Sequence, residues 1–257
     1  MNIQFNWVGG ATFILEIDDF RIACDPVLCP KDTIQDFFWF KSKRTEDPVF
    51  DEKTFKNIDL WLITHPHEDH LDRIGLSVII KKSTIIANPK ASAQLRKNQL
   101  SKVHTLRWNE QFCLSSNSHE IKIEAVKAVH GINPLSALFA GNVNGYVLTF
   151  SNEKETKTIY ITGDTVYKEK FYQSPVFSGI DLLIPNMGGA KKGSWIMTLT
   201  LDAKMLKNLI KKLNPKHIIP VHFGTFSHYV EPVSKTEALA DERIIIPEHG
   251  KKITLAL

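Results

Sequence analysis

The densest chemistry in the chain lies in one stretch, Thr64-His65-Pro66-His67-Glu68-Asp69-His70-Leu71-Asp72. Three histidines and a carboxylate at these offsets form a specific signal in a chain with 10 His among 257 residues. On an extended exit from a strand, residues two apart point the same way, so His65 and His67 can grip one ion. Asp69 and His70, where the chain turns into its next element, face a second position nearby. Imidazole with carboxylate suits zinc, manganese or iron, and a thiolate-rich structural site is not encoded. Four ligands on one turn cannot fill two metal positions, so others must arrive from strand ends elsewhere. The candidates are His130 before Gly131, Asp164 in Thr162-Gly163-Asp164-Thr165, and His222 in Val221-His222-Phe223-Gly224-Thr225. The Asp164 carboxylate could bridge two ions. Taken singly, a strand-end His or Asp beside Gly more often caps or hydrogen-bonds; beside the dense turn the metal reading gains. Two further residues are candidates for lining a substrate pocket. One is His228, six residues beyond His222; the other is Trp195 in Gly193-Ser194-Trp195, for which core packing is the alternative.

Such residues need strand ends to hold them. The run 60–63, Leu-Trp-Leu-Ile, is of the buried-strand type and leads straight into the histidine turn. The run 121–129 alternates and ends at His130, while 158–161 and 217–220 stop just short of Asp164 and His222. Further strand-like runs fall at 3–7, 12–17, 20–24, 84–87, 103–106, 145–150, 181–184, 244–246 and 253–255. Two helices are encoded. Asn88 as N-cap with Pro89 in the first turn starts one that ends near Asn98. The other spans 202–213: Leu206, Leu209, Ile210 and Leu213 follow i, i+3, i+4, i+7, and Lys204, Lys207, Lys211 and Lys212 take the wet side. The segment 30–56 is the least patterned and carries Phe37, Phe38, Trp39 and Phe40 among charges. A loop this long reads either as a cap packed on the core or as a flap over a site. No repeat or Gly/Ser linker divides the chain, so 1–257 reads as one domain.

Composition narrows the classes. Lys+Arg 32 against Asp+Glu 28 gives a net charge of +4, and 43% hydrophobic with 23% charged residues is ordinary for a globular protein. That mild, scattered charge does not argue for nucleic acid, and no run approaches the ~18 apolar residues of a membrane span. The first residues lack a basic start and carry Glu16, Asp18 and Asp19, against a signal peptide. Cys24, Cys29 and Cys113 make no even disulfide framework, which suits a reducing, cytoplasmic setting. The expected partner is a small anionic substrate, without nucleic acid or stable membrane insertion; oligomerisation is left open.

The order His-x-His-x-Asp-His, a strand-end His, Gly-Asp and a late His resembles the metallo-β-lactamase superfamily over nearly the whole chain. The resemblance implies an α+β fold, an αβ/βα sandwich of two mixed β-sheets with helices on the outer faces and metals along one edge. It implies two divalent ions, zinc first, with manganese or iron as alternatives. His65, His67 and His130 would hold one, Asp69, His70 and His222 the other, and Asp164 would bridge. The implied activity is a metal-dependent hydrolase, in which a hydroxide between the ions attacks phosphorus or carbonyl carbon. Asp69 is the implied catalytic residue, orienting the hydroxide and accepting its proton.

Within the superfamily, four pieces resemble the branch of N-acylphosphatidylethanolamine-hydrolysing phospholipase D and the ascorbate-phosphate lactonases. They are Trp7-Val8-Gly9-Gly10-Ala11-Thr12, Cys24-Asp25-Pro26, Gly163-Asp164-Thr165-Val166-Tyr167 and His222-Phe223-Gly224-Thr225-Phe226. His228-Tyr229-Val230-Glu231-Pro232 is similar to the phospholipase alone. Gly10 and Thr200 stand where such relatives carry histidines, so fewer titrating donors are expected beside the metals, favouring good leaving groups. The expected substrate is a phosphodiester or other small anionic ester, with a sugar-phosphate lactone as the alternative. A non-catalytic metal-binding regulatory protein on the same fold would be expected to have lost ligands, and none is lost here.

Overall fold

The computed structural model describes residues 1–37, 40–131, 141–190 and 198–256. The first half builds a mixed seven-stranded sheet. β1 (Asn2–Gly9), β2 (Thr12–Ile17) and β3 (Phe20–Cys24) form an antiparallel meander. The hairpin of β4 (Ile34–Asp36) and β5 (Lys41–Lys43) stands apart as its own two-stranded sheet. β3 then pairs in parallel with β6 (Leu60–Ile63), β6 with β7 (Thr84–Ala87), and β7 with β8 (Val103–Thr105). Between these strands lie α1 (Arg73–Val78) and α2 (Pro89–Lys97).

The second sheet has six strands. β9 (Gln111–Ser115), β10 (Glu120–Ala128), β11 (Val143–Ser151) and β12 (Thr156–Ile161) run antiparallel, and β13 (Leu182–Ile184) joins β12 in parallel. After α3 (Ala203–Leu213), β14 (His217–Ile218) adds to β13, also in parallel. The helix α4 (Ser234–Glu237) follows, and β15 (Lys252–Ala256) returns to pair with β1 at the edge of the first sheet. Two mixed sheets with helices outside them match the expected sandwich.

Side-chain alternation along each strand sorts the core into layers. In β6, Leu60 and Leu62 join the large apolar cluster between the sheets, while Trp61 and Ile63 turn to the cluster containing Ala91 and Leu95 of α2. In β2, Phe13, Leu15 and Ile17 face inward and Ile14 outward. Each fully buried side chain of this kind is worth about 1.5–3 kcal/mol relative to exposure. On α3, Leu206, Leu209, Ile210 and Leu213 are buried and all four lysines exposed. Asp202 caps the helix through Met205 N (2.8 Å), and Asn214 ends it at φ +48°.

At several elements the structure departs from the sequence reading. Residues 244–246 contribute one bridge, Ile218 to Ile244, instead of a strand, because the backbone N–H of Ile244 turns back onto Asp241. β9 escapes the apolar-run criterion because it is an edge strand with alternate residues exposed. α1 escapes it because its Ile, Leu and Val favour strands. Its start is fixed by Asp72, whose Oδ1 accepts from Gly75 N (2.6 Å) and whose Oδ2 accepts from Leu28 N and Cys29 N (2.9 and 2.6 Å). No helix among the described residues is long and apolar enough to cross a membrane.

α1 follows directly on the histidine turn, so its seating fixes that turn. A Cβ on Gly75 would lie 1.8 Å from Pro26 O, a collision with backbone. Gly75→Ala is therefore expected to destabilise the protein by about 2 kcal/mol or more. Urea unfolding is the measurement, and a stability within about 0.5 kcal/mol of wild type would show that the close seating of α1 does not matter.

Candidate metal centre

All seven sequence candidates for ligation converge at one edge of the sandwich. His65, His67 and His130 form one group; Asp69, His70, Asp164 and His222 form another, with donor atoms in each group within 4.8 Å of one another. The first sheet supplies His65 through His70 on the turn leaving β6, and the second supplies His130 after β10, Asp164 after β12 and His222 beyond β14. Asp164 lies between the groups: Oδ1 is 3.2 Å from His70 Nε2 and 3.4 Å from His222 Nε2, while Oδ2 is 3.8 Å from His130 Nε2.

The outer nitrogens of the rings fix which way the lone pairs point. His130 Nδ1 faces Leu199 O (3.0 Å) and His222 Nδ1 faces Met187 O (3.2 Å), so both Nδ1 atoms donate. His70 Nδ1 donates to Asp25 Oδ2 at 2.7 Å. The Thr64 hydroxyl donates to the same Asp25 oxygen (2.6 Å) and accepts from His65 Nδ1 (3.0 Å). In its neutral form each of these four rings therefore turns a bare Nε2 to the centre, the state a metal ligand requires. His70 Nε2 and His222 Nε2 then stand 3.1 Å apart, and His65 Nε2 meets His67 Nδ1 at 2.9 Å. Among the described residues, Asp69 Oδ1 is buried without a hydrogen-bond partner. Ring nitrogens crowded face to face and an orphaned carboxylate oxygen are a pattern that divalent cations resolve.

Electrostatics agree with that donor set. Burial, with neighbouring histidines, holds His65 and His67 toward the neutral form, His67 with a pKa of about 4, and burial lowers His130 as well. Burial works against ionising Asp69 and Asp164. For Asp69 it is outweighed by His70, His222 and His228, and for Asp164 by His222 and His70, so both carboxyls sit well below the usual range. Burial also disfavours charge on His70, yet Asp164, Asp25 and Asp69 around it raise its pKa well above the ordinary value. Neutral imidazoles and ionised carboxylates are what metal binding needs, and the proton His70 attracts marks where the cluster wants positive charge.

Several supporting residues were not singled out for the site from the sequence. Asp25 accepts from Thr64 N (2.7 Å) as well as from the Thr64 hydroxyl and His70, and it does so at φ +40°. His222 sits at φ +64°, its N–H bonded to Gly10 O. Such backbone costs about 1–3 kcal/mol per residue and persists where surroundings over-determine it. Asn186 Nδ2 donates to Asp164 Oδ1 (3.0 Å), and the Tyr229 hydroxyl donates to Asp69 Oδ2 (3.3 Å). The available signal was positional: Asp25 closes β3, the strand beside β6, and Thr64 immediately precedes the turn.

His228 lies against the centre, with Nε2 3.1 Å from Asp69 Oδ2 and Nδ1 2.6 Å from Ser42 Oγ. Trp195 falls outside the described residues. Thr200 is fully buried, its hydroxyl donating to Met187 O and accepting from Ala190 N, so it is tied to the 187–190 loop. A Cβ on Gly10 would meet Val27, Thr225 and Phe226 within 3.6 Å. Neither position places a titrating side chain beside the centre. Three other histidines have separate partners: His119 pairs with Asp18 at 2.9 Å, His104 packs on Phe112, and His249 on Trp7.

Because Asp25 orients both Thr64 and His70, its amide variant tests the outer support of the centre. Asp25→Asn is expected to weaken metal retention about 10–100-fold, while His119→Ala leaves it unchanged. Competition with a chelating dye measures both, and equal affinities for Asp25→Asn and wild type would contradict the orienting role.

A family model described as "Beta-lactamase superfamily domain" matches residues 21–223. A UPF0173 metal-dependent hydrolase from Thermodesulfovibrio yellowstonii is 25% identical over 258 residues, covering 94% of this chain and 86% of that protein. In fold, the chain is similar to a possible metal-dependent hydrolase from Veillonella parvula, with TM-score 0.82, 23% identity and 99% and 100% of the two chains covered. It is also similar to an isothiocyanate hydrolase from Delia radicum gut bacteria, with TM-score 0.80, 22% identity and 100% and 99% covered. The matched residues 21–223 take in the histidine turn and every later ligand candidate through His222, and the chain belongs to the beta-lactamase superfamily, with the metallo-β-lactamase fold.

Proposed function

We propose that the protein is a binuclear metal-dependent hydrolase acting on a phosphodiester or another small anionic ester. The observation that carries this reading is the pair of adjoining donor groups, seven side chains sharing Asp164 at their boundary. His65, His67 and His130 would hold one ion, Asp69, His70 and His222 the other, and Asp164 would bridge. An all-nitrogen and carboxylate set favours zinc, with manganese or iron also accommodated. Bound there, such ions supply Lewis acidity, lowering the pKa of water and stabilising charge that develops on the substrate oxygen.

The chain's own residues do the rest. Asp69 is held ionised by the three imidazoles around it, and its place in the second donor group would let it orient an attacking water and take its proton. Its Oδ2 is fixed from outside by His228 and by Tyr229, whose hydroxyl burial holds in the protonated, donating form. That leaves Oδ1 as the oxygen free to face the reacting centre. With Thr200 and Gly10 committed to packing, no imidazole at those positions donates to a departing alkoxide. The reading therefore favours substrates whose leaving group needs no proton. A cytoplasmic setting belongs to the same proposal, supported by three cysteines that all stand unpaired.

Saturation with zinc or manganese is expected to load two ions per chain. Elemental analysis of the folded protein checks this, and one ion or none would refute the binuclear centre. The loaded enzyme should cleave bis(p-nitrophenyl) phosphate, and Asp69→Asn should lower kcat by about 10²-fold or more with the circular dichroism spectrum unchanged. Near-wild-type turnover in that variant would remove Asp69 from the reaction.

A further inference from the structure

The sequence carries an aromatic run whose purpose the metal chemistry does not explain. Phe37 and Phe40 extend the β4–β5 pairing by a hydrogen bond from Phe37 N to Phe40 O (2.9 Å). The register pairs Gln35 with Ser42, and alternation puts Phe37 and Phe40 on the same face as that pair. The opposite residues Ile34, Asp36, Lys41 and Lys43 are exposed.

The inward face is fastened, not loosely laid. Gln35 Nε2 donates to Glu68 O (2.7 Å) on the metal turn, and Ser42 Oγ meets His228 Nδ1 at 2.6 Å. Lys43 N and O both bond Ser227, and Arg44 bridges to Phe226. These bonds hold Phe37 and Phe40 in a parallel stack, centroids 4.9 Å apart at 8°. Phe37 meets His67 edge-on at 6.2 Å, and Phe37 and Phe40 lie 5.3 and 5.5 Å from the His228 ring. His67 belongs to one donor group, and His228 is bonded to Asp69 of the other. Both phenylalanines are only half-buried.

We propose that Phe37 and Phe40 form an apolar subsite that takes the aryl group of the substrate, while its anionic head sits at the metal centre. This rests on the hydrolase reading and adds the chemical class of the group the head carries. Flat π faces prefer another ring, stacked or edge-on, to a sugar phosphate or a charged tail. Ring positions fixed in advance by Gln35 and Ser42 also reduce the ordering cost of binding.

Calorimetric titration of zinc-loaded protein with phenylphosphonate and methylphosphonate tests the subsite without turnover. Wild type is expected to bind the phenyl compound about tenfold tighter, and Phe37→Leu/Phe40→Leu should reduce that ratio to about twofold. Circular dichroism melting confirms that the variants fold, and Phe37→Leu alone serves if the double variant does not. Equal affinity for the two phosphonates in wild type, or an unchanged ratio in a folded variant, overturns the subsite and leaves the hydrolase reading standing. Binding of neither phosphonate to zinc-loaded wild type overturns both.

Discussion

Three carboxylates buried beside six imidazoles set the terms for the rest of this structure. Asp25, Asp69 and Asp164 lie at 2% exposure or less, in a setting where isolated charge is expensive. Asp69 and Asp164 are held as anions by the imidazoles that face them, His70 and His222 foremost. Most local oddities of the chain serve that arrangement. Asp25 and His222 accept left-handed backbone, and every outward ring nitrogen whose partner is a carbonyl or carboxylate has given up its proton freedom to it.

Neither sheet holds the centre alone. The first contributes the turn after β6 and the Asp25 that braces it; the second contributes three side chains from ends well separated in sequence. Their relative placement is set by the apolar layer between the sheets, from Phe13 and Leu62 on one side to Ile159 and Leu183 on the other. Close-packed interiors transmit small displacements, so that layer acts as the jig for the metal donors. Direct links cross the same gap near the site: Tyr146 donates to Ile63 O at 2.9 Å, and Asn144 N donates to Thr64 O at 3.1 Å.

The β4–β5 hairpin adds a second layer to one side of the centre. It reaches the histidine turn through the Gln35 side chain and the 224–228 segment through the Ser42 side chain, the Lys43 backbone and the following Thr45. His228 is the meeting point, bonded to the hairpin by one ring nitrogen and to Asp69 by the other. Among the described residues of 30–56, the hairpin is hydrogen-bonded to the residues that hold Asp69.

The sequence alone determined the metal donors, because their chemistry is local. His65, His67, Asp69 and His70 sit on one turn whose spacing is set by strand geometry, and His130, Asp164 and His222 each follow a run of strand-forming residues. It determined α3 for the same reason, since the 3.6-residue period and the Asp202 and Asn214 caps are short-range facts. Only the tertiary structure decided what lies behind the donors. The bond from Asp25 to His70 spans 45 residues, and that from His228 to Asp69 spans 159, distances over which no periodicity carries information. It also decided that Thr200 and Gly10 serve backbone and packing, and that Phe37 and Phe40 face His67 and His228. Those assignments depend on which surfaces meet when the two sheets and the hairpin close, and that is fixed by packing of the whole chain.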